Sequence, residues 1–132
     1  MILRFYLLTI LALTLAACGA APQSTSAPIN DPTALLVQSG WTLGGGADIT
    51  SFTVPAQGSY DATQQQILDV SKAAGLDFSR FAGKALSLQT YPLNEASSGG
   101  QPVRGNVLMD GANVAGAWLS VGDQVYALSA KP

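Results

Sequence analysis

Hydrophobic and polar positions divide the chain of 132 residues into three parts. The first contains a predominantly apolar run, "FYLLTILALTLAA", at positions 5–17. The second, residues 19–30, is uncharged and rich in Ala, Ser and Pro, a composition typical of a flexible tether. The third alternates short periodic segments with turn-forming residues, as folded domains do. We therefore expect one folded domain over residues 31–132.

Two helices are predicted in this domain. Asp31 and Pro32 suit the cap and the first position of a short helix. A period near 3.6 predicts the main helix within 59–78, where Gly75 ends it. The segment 76–84 that follows is expected to form a compact turn that seats two phenylalanine rings in the core.

A period of two predicts the strands. The glycines at 44–46 are interpreted as a hairpin turn between two strands of 41–56, and Asp110–Gly111 as a second hairpin. Four further strands are expected at 85–93, 102–110, 112–121 and 124–129. The predicted order is α-β-β-α-β-β-β-β. This is an α+β fold, with two short helices packed on a mainly antiparallel sheet that ends in a C-terminal meander.

One face of the sheet is predicted to be apolar and covered by the helices. Its expected members are Val103, Val107, Met109, Val114 and Trp118. The other face or an exposed edge is expected to carry the surface contacts, for which the candidates are Tyr91, Arg104, Trp118 and Tyr126, because aromatic residues and Arg dominate interfaces. For Trp118 a place in the core is an equally good interpretation.

Arg80 lies between the two phenylalanines of the predicted turn. It is either a cation that binds a ligand or, as is more common, a solvated side chain or a partner of Asp77.

The N-terminal part resembles a bacterial lipoprotein signal. Arg4 precedes the apolar run, whose length suits the hydrophobic region of a signal peptide. The run ends in "LAAC" (15–18), which resembles the lipobox of bacterial lipoproteins. That resemblance implies that residues 1–17 are removed and that Cys18 becomes the lipidated first residue, followed by the tether up to residue 30. Ordinary secretion with cleavage near Ala20 or Ala21 is the alternative. The expected location is the cell envelope, at the outer membrane if the organism has one.

Composition restricts the chemistry of the domain. The net charge is −2, charged residues make up 11% of the chain, and Lys and Arg do not cluster. Nucleic acid is therefore not an expected partner, since it requires a basic stripe. The chain has no histidine and one cysteine, which argues against internal disulfides, thiolate metal sites and histidine-based catalysis. We expect no metal and no cofactor.

Three segments resemble a family of small bacterial exported proteins whose domain is classified only as a domain of unknown function. They are "SGW" (39–41), "AGLDFSRFAGK" (74–84) and "VRGNVLMDGANVAGAWLSV" (103–121). The resemblance implies a secreted or lipid-anchored α+β module and no reaction.

The function expected from the sequence is non-enzymatic binding of an envelope protein, peptide or glycan, with the membrane as a second partner through the lipid on Cys18. An exposed edge strand offers one way to take a peptide. The alternatives are a secreted or anchored hydrolase with carboxylate or serine chemistry, and an inhibitor or sensor of an envelope machine.

Overall fold

The computed structural model of the chain describes residues 30–132. The predicted signal peptide, Cys18 and the tether up to residue 29 lie outside the described residues. Two helices pack with one antiparallel sheet, which confirms the α+β prediction. The strands lie side by side in chain order. The elements are α1 (Pro32–Gln38), β1 (Asp48–Thr53), α2 (Ala62–Ala73), a 3₁₀ turn (Ser79–Phe81), β2 (Ala85–Ala96), β3 (Pro102–Asp110), β4 (Asn113–Val121) and β5 (Gln124–Tyr126).

Both helices begin at an aspartate. The carboxylate of Asp31 accepts the N–H of Thr33 at 2.9 Å, and Pro32 follows as the first helical residue. At α2, Asp61 accepts the Gln64 N–H at 2.7 Å while the Gln64 side chain accepts the Asp61 N–H at 3.0 Å, a complete capping box. These side chains satisfy N–H groups that have no partner within the helix, and the predicted helix starts are confirmed.

The glycine run at 44–46 forms a bulge, so the predicted hairpin there is wrong. Leu43 lies opposite Leu93, and Asp48 lies opposite Thr90, so that both sides of the run are antiparallel to β2. The segment between these pairings is two residues longer than the matching stretch of β2, and the extra residues form the bulge. A Cβ at Gly44 would lie 2.8 Å from Asn94 Oδ1, which explains the glycine there. The region 41–56 therefore supplies one strand, and the sheet has five strands instead of six.

Apolar side chains cover both faces of the sheet. On one side, the Val107 face, α1 and the C-terminal segment pack over β2–β4, and the Trp41 indole N–H donates to Leu128 O at 2.8 Å. On the other, the Leu108 face, Phe78 packs against Gly116 and contacts Phe52 edge to face at 5.9 Å. The two buried clusters are Leu36, Trp41, Tyr91, Leu93, Val103, Val107, Met109, Ala117, Leu119, Val121 and Leu128 for the first, and Val54, Ile67, Leu68, Phe78, Leu86, Leu108, Ala115 and Trp118 for the second.

Trp118 lies on the opposite face from the one predicted for it. Leu108 pairs with Gly116 and Met109 with Val114, so Ala115 is an extra residue in β4. Such a bulge shifts the in–out alternation by one residue. Val114 therefore packs on the Val107 face as predicted, while Trp118 is buried on the Leu108 face.

Helix α2 closes one edge of the sheet. Strand β5 pairs with β4 only as far as Leu119. Beyond that point Ser71, which is fully buried on α2, donates its hydroxyl to Ala117 O at 3.1 Å and accepts the Ala117 N–H at 3.3 Å. The serine thus satisfies the β4 backbone where β5 has ended. This protects β4 from pairing with another chain.

Candidate functional site

The four residues predicted as surface contacts do not form one site. Tyr91 and Trp118 are only 6% and 4% exposed, and they lie in different core clusters. Tyr126 is half-buried on the Val107 face. Of the four, Arg104 alone is exposed; Tyr91 is buried, and Trp118 occupies the core position that the sequence left open as its alternative.

Tyr91 has a structural role. Its hydroxyl donates to Gln89 Oε1 at 2.6 Å, two residues along the same strand. Burial, together with the charge of Asp31, raises the pKa of Tyr91. The phenol therefore stays neutral and hydrogen-bonded at the rim of the core.

A polar row crosses the Leu108 face beside Arg104. The Thr90 hydroxyl donates to Asn106 Oδ1 at 3.0 Å, and Asn106 Nδ2 donates to Ser120 Oγ at 3.0 Å. Asn106 is buried, and this row satisfies both ends of its amide. With Arg104 and Asp123 the row lines a depression of about 500 Å³. The side chains of Thr90, Asn106 and Ser120 already hydrogen-bond to one another, so these bonds link neighbouring strands of the sheet.

The outer edge of β1 has its backbone groups directed away from the sheet. Val54, which follows the strand, donates its N–H to Lys84 O at 2.9 Å on the β2 side. Backbone groups of successive strand residues point to alternate sides. The N–H and C=O groups of Ile49, Ser51 and Thr53 therefore point outward. We call these six groups the β1 edge.

Within residues 30–132, β2 is the only strand that pairs with β1, and the contacts of Phe52 with Phe78 and Trp118 lie on the Leu108 face and not along the outer edge. Five of the six β1 residues are exposed, and the side chain of Ile49 is 67% exposed. Natural sheets protect such edges with Lys, Pro or a covering element. Within β1 the only charged residue is Asp48, at one end. The contrast with the opposite edge, which α2 covers, makes the β1 edge the candidate binding site.

Most carboxylates in the described part of the chain accept hydrogen bonds from nearby groups of the protein. Glu95 lies near the end of β2, and its two oxygens accept the Thr42 N–H at 3.0 and 3.1 Å. This bond lowers the pKa of Glu95. Among residues 30–132 no three His, Cys, Asp or Glu side chains come close enough to hold a metal ion.

Comparison with family models, with curated proteins and with solved structures gives no match for this chain. The resemblances to lipoproteins and to an exported family therefore stay predictions. Among the described residues, no helix has the length and apolar character needed to cross a membrane.

The sequence pattern identified β1 as a strand but did not identify it as the site. Its alternation of Ile49, Ser51 and Thr53 with Thr50 and Phe52 was visible. Which strand lies at an edge depends on the order of the whole sheet, and that order is a tertiary property. An exposed isoleucine within a strand without Lys or Pro is the signal that could have drawn attention to it.

Proposed function

We propose that this chain is a lipid-anchored protein of the cell envelope whose domain binds an extended segment of a partner polypeptide by strand addition at the β1 edge. The observation that carries the proposal is the outward direction of the backbone groups of Ile49, Ser51 and Thr53 on an uncovered strand. Main-chain hydrogen bonds supply the affinity in this mode of recognition, and alternate side chains supply the specificity.

The chemistry of β1 defines the partner segment. Each of the six outward groups is able to form one ladder bond, and a protein hydrogen bond contributes a net ~0.5–1.5 kcal/mol. Ile49 offers apolar surface on one side of the strand, and Thr50 and Phe52 lie on the other. A segment with β-branched or aromatic residues at alternate positions fits these neighbours. The charge of Asp48 disfavours an acidic residue opposite it.

A proline at position 51 tests the strand addition. The Ser51 N–H points outward, so Ser51→Pro removes a donor for the partner but no bond to β2, and edge strands tolerate proline at such positions. Ser51→Thr is the matched control, because it keeps the donor and suits a strand. A photo-crosslinking residue at Ile49 should capture a polypeptide in cells, and the Ser51→Pro change should abolish the capture while Ser51→Thr keeps it.

The same crosslinker at Gln66, exposed on α2, controls for proximity. Equal capture from both positions, or capture that survives Ser51→Pro, would contradict the proposal. If the crosslinker captured a second copy of this chain, the conclusion would be that two copies pair with each other at β1, in place of a different partner.

The anchor has its own test. The expected mature chain begins at Cys18 with a lipid on its thiol, and Cys18→Ala should shift the protein from the membrane to the soluble fraction. Ser24→Ala in the same tether is the control. A lipid-free mature chain that begins at Ala20 or beyond, measured by mass spectrometry, would contradict the anchor.

A further inference from the structure

The outward backbone groups of the β1 edge are self-complementary. They belong to Ile49, Ser51 and Thr53, every second residue of the strand, and are therefore arranged symmetrically about Ser51. In an antiparallel ladder, two residues that form a hydrogen-bonded pair exchange both of their N–H···O=C bonds. A second β1, related to the first by a two-fold axis at Ser51, therefore presents a matching donor or acceptor to each of the six groups.

One register uses all of these groups. With Ser51 on the axis, Ile49 lies opposite Thr53 of the second copy, and Thr53 lies opposite Ile49. A shift by two residues in either direction leaves only two of the three residues opposite a matching residue. Pro55 follows at the next outward position and has no N–H group to donate, so the ladder ends there. The backbone therefore favours the pairing centred on Ser51.

The side chains of β1 also match those of a second copy. On the Val107 face, Ile49 lies beside Thr53 of the second copy, which gives the 67% exposed isoleucine a β-branched neighbour. Phe52 packs on the Leu108 face, where it lies opposite Thr50 of the second copy in a non-hydrogen-bonded pair, the kind in which side chains are closest. Pairs of β-branched and aromatic residues stabilise neighbouring strands. β1 itself thus has the pattern expected of the partner segment.

No like charges meet in this arrangement. Asp48 is the one charged residue of β1, and it lies opposite Val54 of the second copy, whose side chain is fully buried. The two Asp48 residues lie six positions apart along the paired strands, a separation of ~20 Å that exceeds the ~8 Å Debye length at physiological ionic strength. The charge that disfavours an acidic partner segment therefore does not oppose self-pairing.

We infer that the partner segment is β1 of a second copy of this chain, so that two five-stranded sheets join edge to edge about a two-fold axis at Ser51. The inference rests on the proposed strand addition, because it uses the same edge, and it names the polypeptide that is added. One pair of short strands makes a small interface, of the size found in weak complexes. The dimer should therefore form where copies are concentrated, as the proposed lipid anchor would concentrate them on a membrane.

Single cysteines test the register in cells that produce the full chain. A thiol crosslinker of ~8 Å bridges the ~5.5 Å between the Cα atoms of a hydrogen-bonded pair, so Ser51→Cys should give a covalent dimer. Ile49→Cys or Thr53→Cys alone should not, because each lies four positions, ~14 Å along the strand, from the same residue of the second copy. Chains with Ile49→Cys and chains with Thr53→Cys, produced together, should crosslink to each other. The unchanged chain, with Cys18 alone, measures the background.

Ser51→Pro tests the hydrogen bonds at the axis. In both copies it removes the N–H that bonds to the other copy, and it leaves the pairing with β2 intact. When both chains carry it, the yield of the mixed dimer of Ile49→Cys and Thr53→Cys chains should fall about tenfold or more, as expected for the loss of two ladder bonds. Ser51→Thr keeps both bonds and should leave the yield unchanged within about twofold. The Tm should be similar in the two variants.

Three results would overturn self-pairing. They are a Ser51→Cys yield no higher than the background, equal yields from the three single cysteines, and a mixed dimer that survives Ser51→Pro. If the photo-crosslinker at Ile49 then captured a different polypeptide, strand addition at the β1 edge would stand with that polypeptide as the partner. If it captured nothing, both self-pairing and the proposed function would be wrong.

Discussion

Replacement of Ser71 by alanine should destabilise the domain well beyond an ordinary serine-to-alanine change. The variant loses two hydrogen bonds and leaves the N–H and C=O of Ala117 without a partner in a position sealed from water. Each unsatisfied buried group costs ~1–3 kcal/mol, and the better helix propensity of alanine returns ~0.5 kcal/mol. Since the N–H bond is long, the low end of this range applies, and we expect a net loss of about 1.5–2.5 kcal/mol.

Thermal and denaturant unfolding measure this loss. For a domain of this size, 1 kcal/mol corresponds to ~4–8 °C in Tm, so a decrease of about 6 °C or more is expected. Ser98→Ala, at an exposed loop position, is the control and should change Tm little. Amide hydrogen exchange adds a local readout, because the Ala117 amide should lose protection in the variant. If Ser71→Ala unfolds like Ser98→Ala and the amide stays protected, the role of the serine at the β4 edge is refuted.

Three smaller predictions concern packing, capping and pH. Gly116→Ala places a Cβ 2.7 Å from the buried ring of Phe78, so overpacking should cost ~1–3 kcal/mol in denaturant unfolding; an unchanged midpoint would contradict the packing. Asp61→Ala removes the cap of α2 and should cost ~0.5–2 kcal/mol, with a matching fall in helical circular dichroism on heating. The pKa of Glu95 is lowered by the Thr42 N–H, so its stabilising effect is complete above the ordinary glutamate pKa of 4.5 and is lost as the pH falls through the pKa of Glu95 in the folded protein; Glu95→Gln should flatten the acid side of the Tm profile.

Local signals in the sequence predicted the helix starts and one hairpin well, whereas the strand predicted at 85–93 extends to residue 96 and the strand predicted at 124–129 ends at residue 126. The caps at Asp31 and Asp61 and the hairpin at Asp110–Gly111 depend on side chains and glycines within a few residues of the turn they form. Such features need no information about the rest of the chain, and the structure confirms each of them.

Features that depend on sheet register were not predictable in the same way. A strict period of two placed Val114 and Trp118 on one face, but the extra residue Ala115 separates them. No composition signal marks that bulge. The glycines at 44–46 gave a turn signal that is equally compatible with a hairpin and with a bulge, and only the pairing of Leu43 with Leu93 distinguishes the two.

The candidate sites were the least predictable part. Arg80 was identified as a possible ligand-binding cation or a partner of Asp77, but only the folded chain shows its guanidinium carbon 4.8 Å from the centroid of the Phe81 ring. The β1 edge likewise becomes visible only when the sheet order is known. A hydroxyl or backbone group marks a candidate site when no other group of the folded chain hydrogen-bonds to it. Local sequence does not show which groups are left without a partner.

Because of the path that the chain takes between β1 and β2, the parts of the domain differ in the free energy of local unfolding. These strands are neighbours, yet the chain between them carries α2 across to the far edge, where it contacts β4 and β5 before it returns. β1 and β5 are each held in the sheet by one neighbour, whereas β2, β3 and β4 have two each, and of the two edge strands β5 also contacts α2. Local unfolding should therefore begin at β1 while α2 remains docked, because regions with few contacts open at the lowest free energy. If β1 separated from the sheet in this way, the outer edge of β2 would also be exposed. A partner strand could then pair with β1, or it could replace β1 and pair with β2.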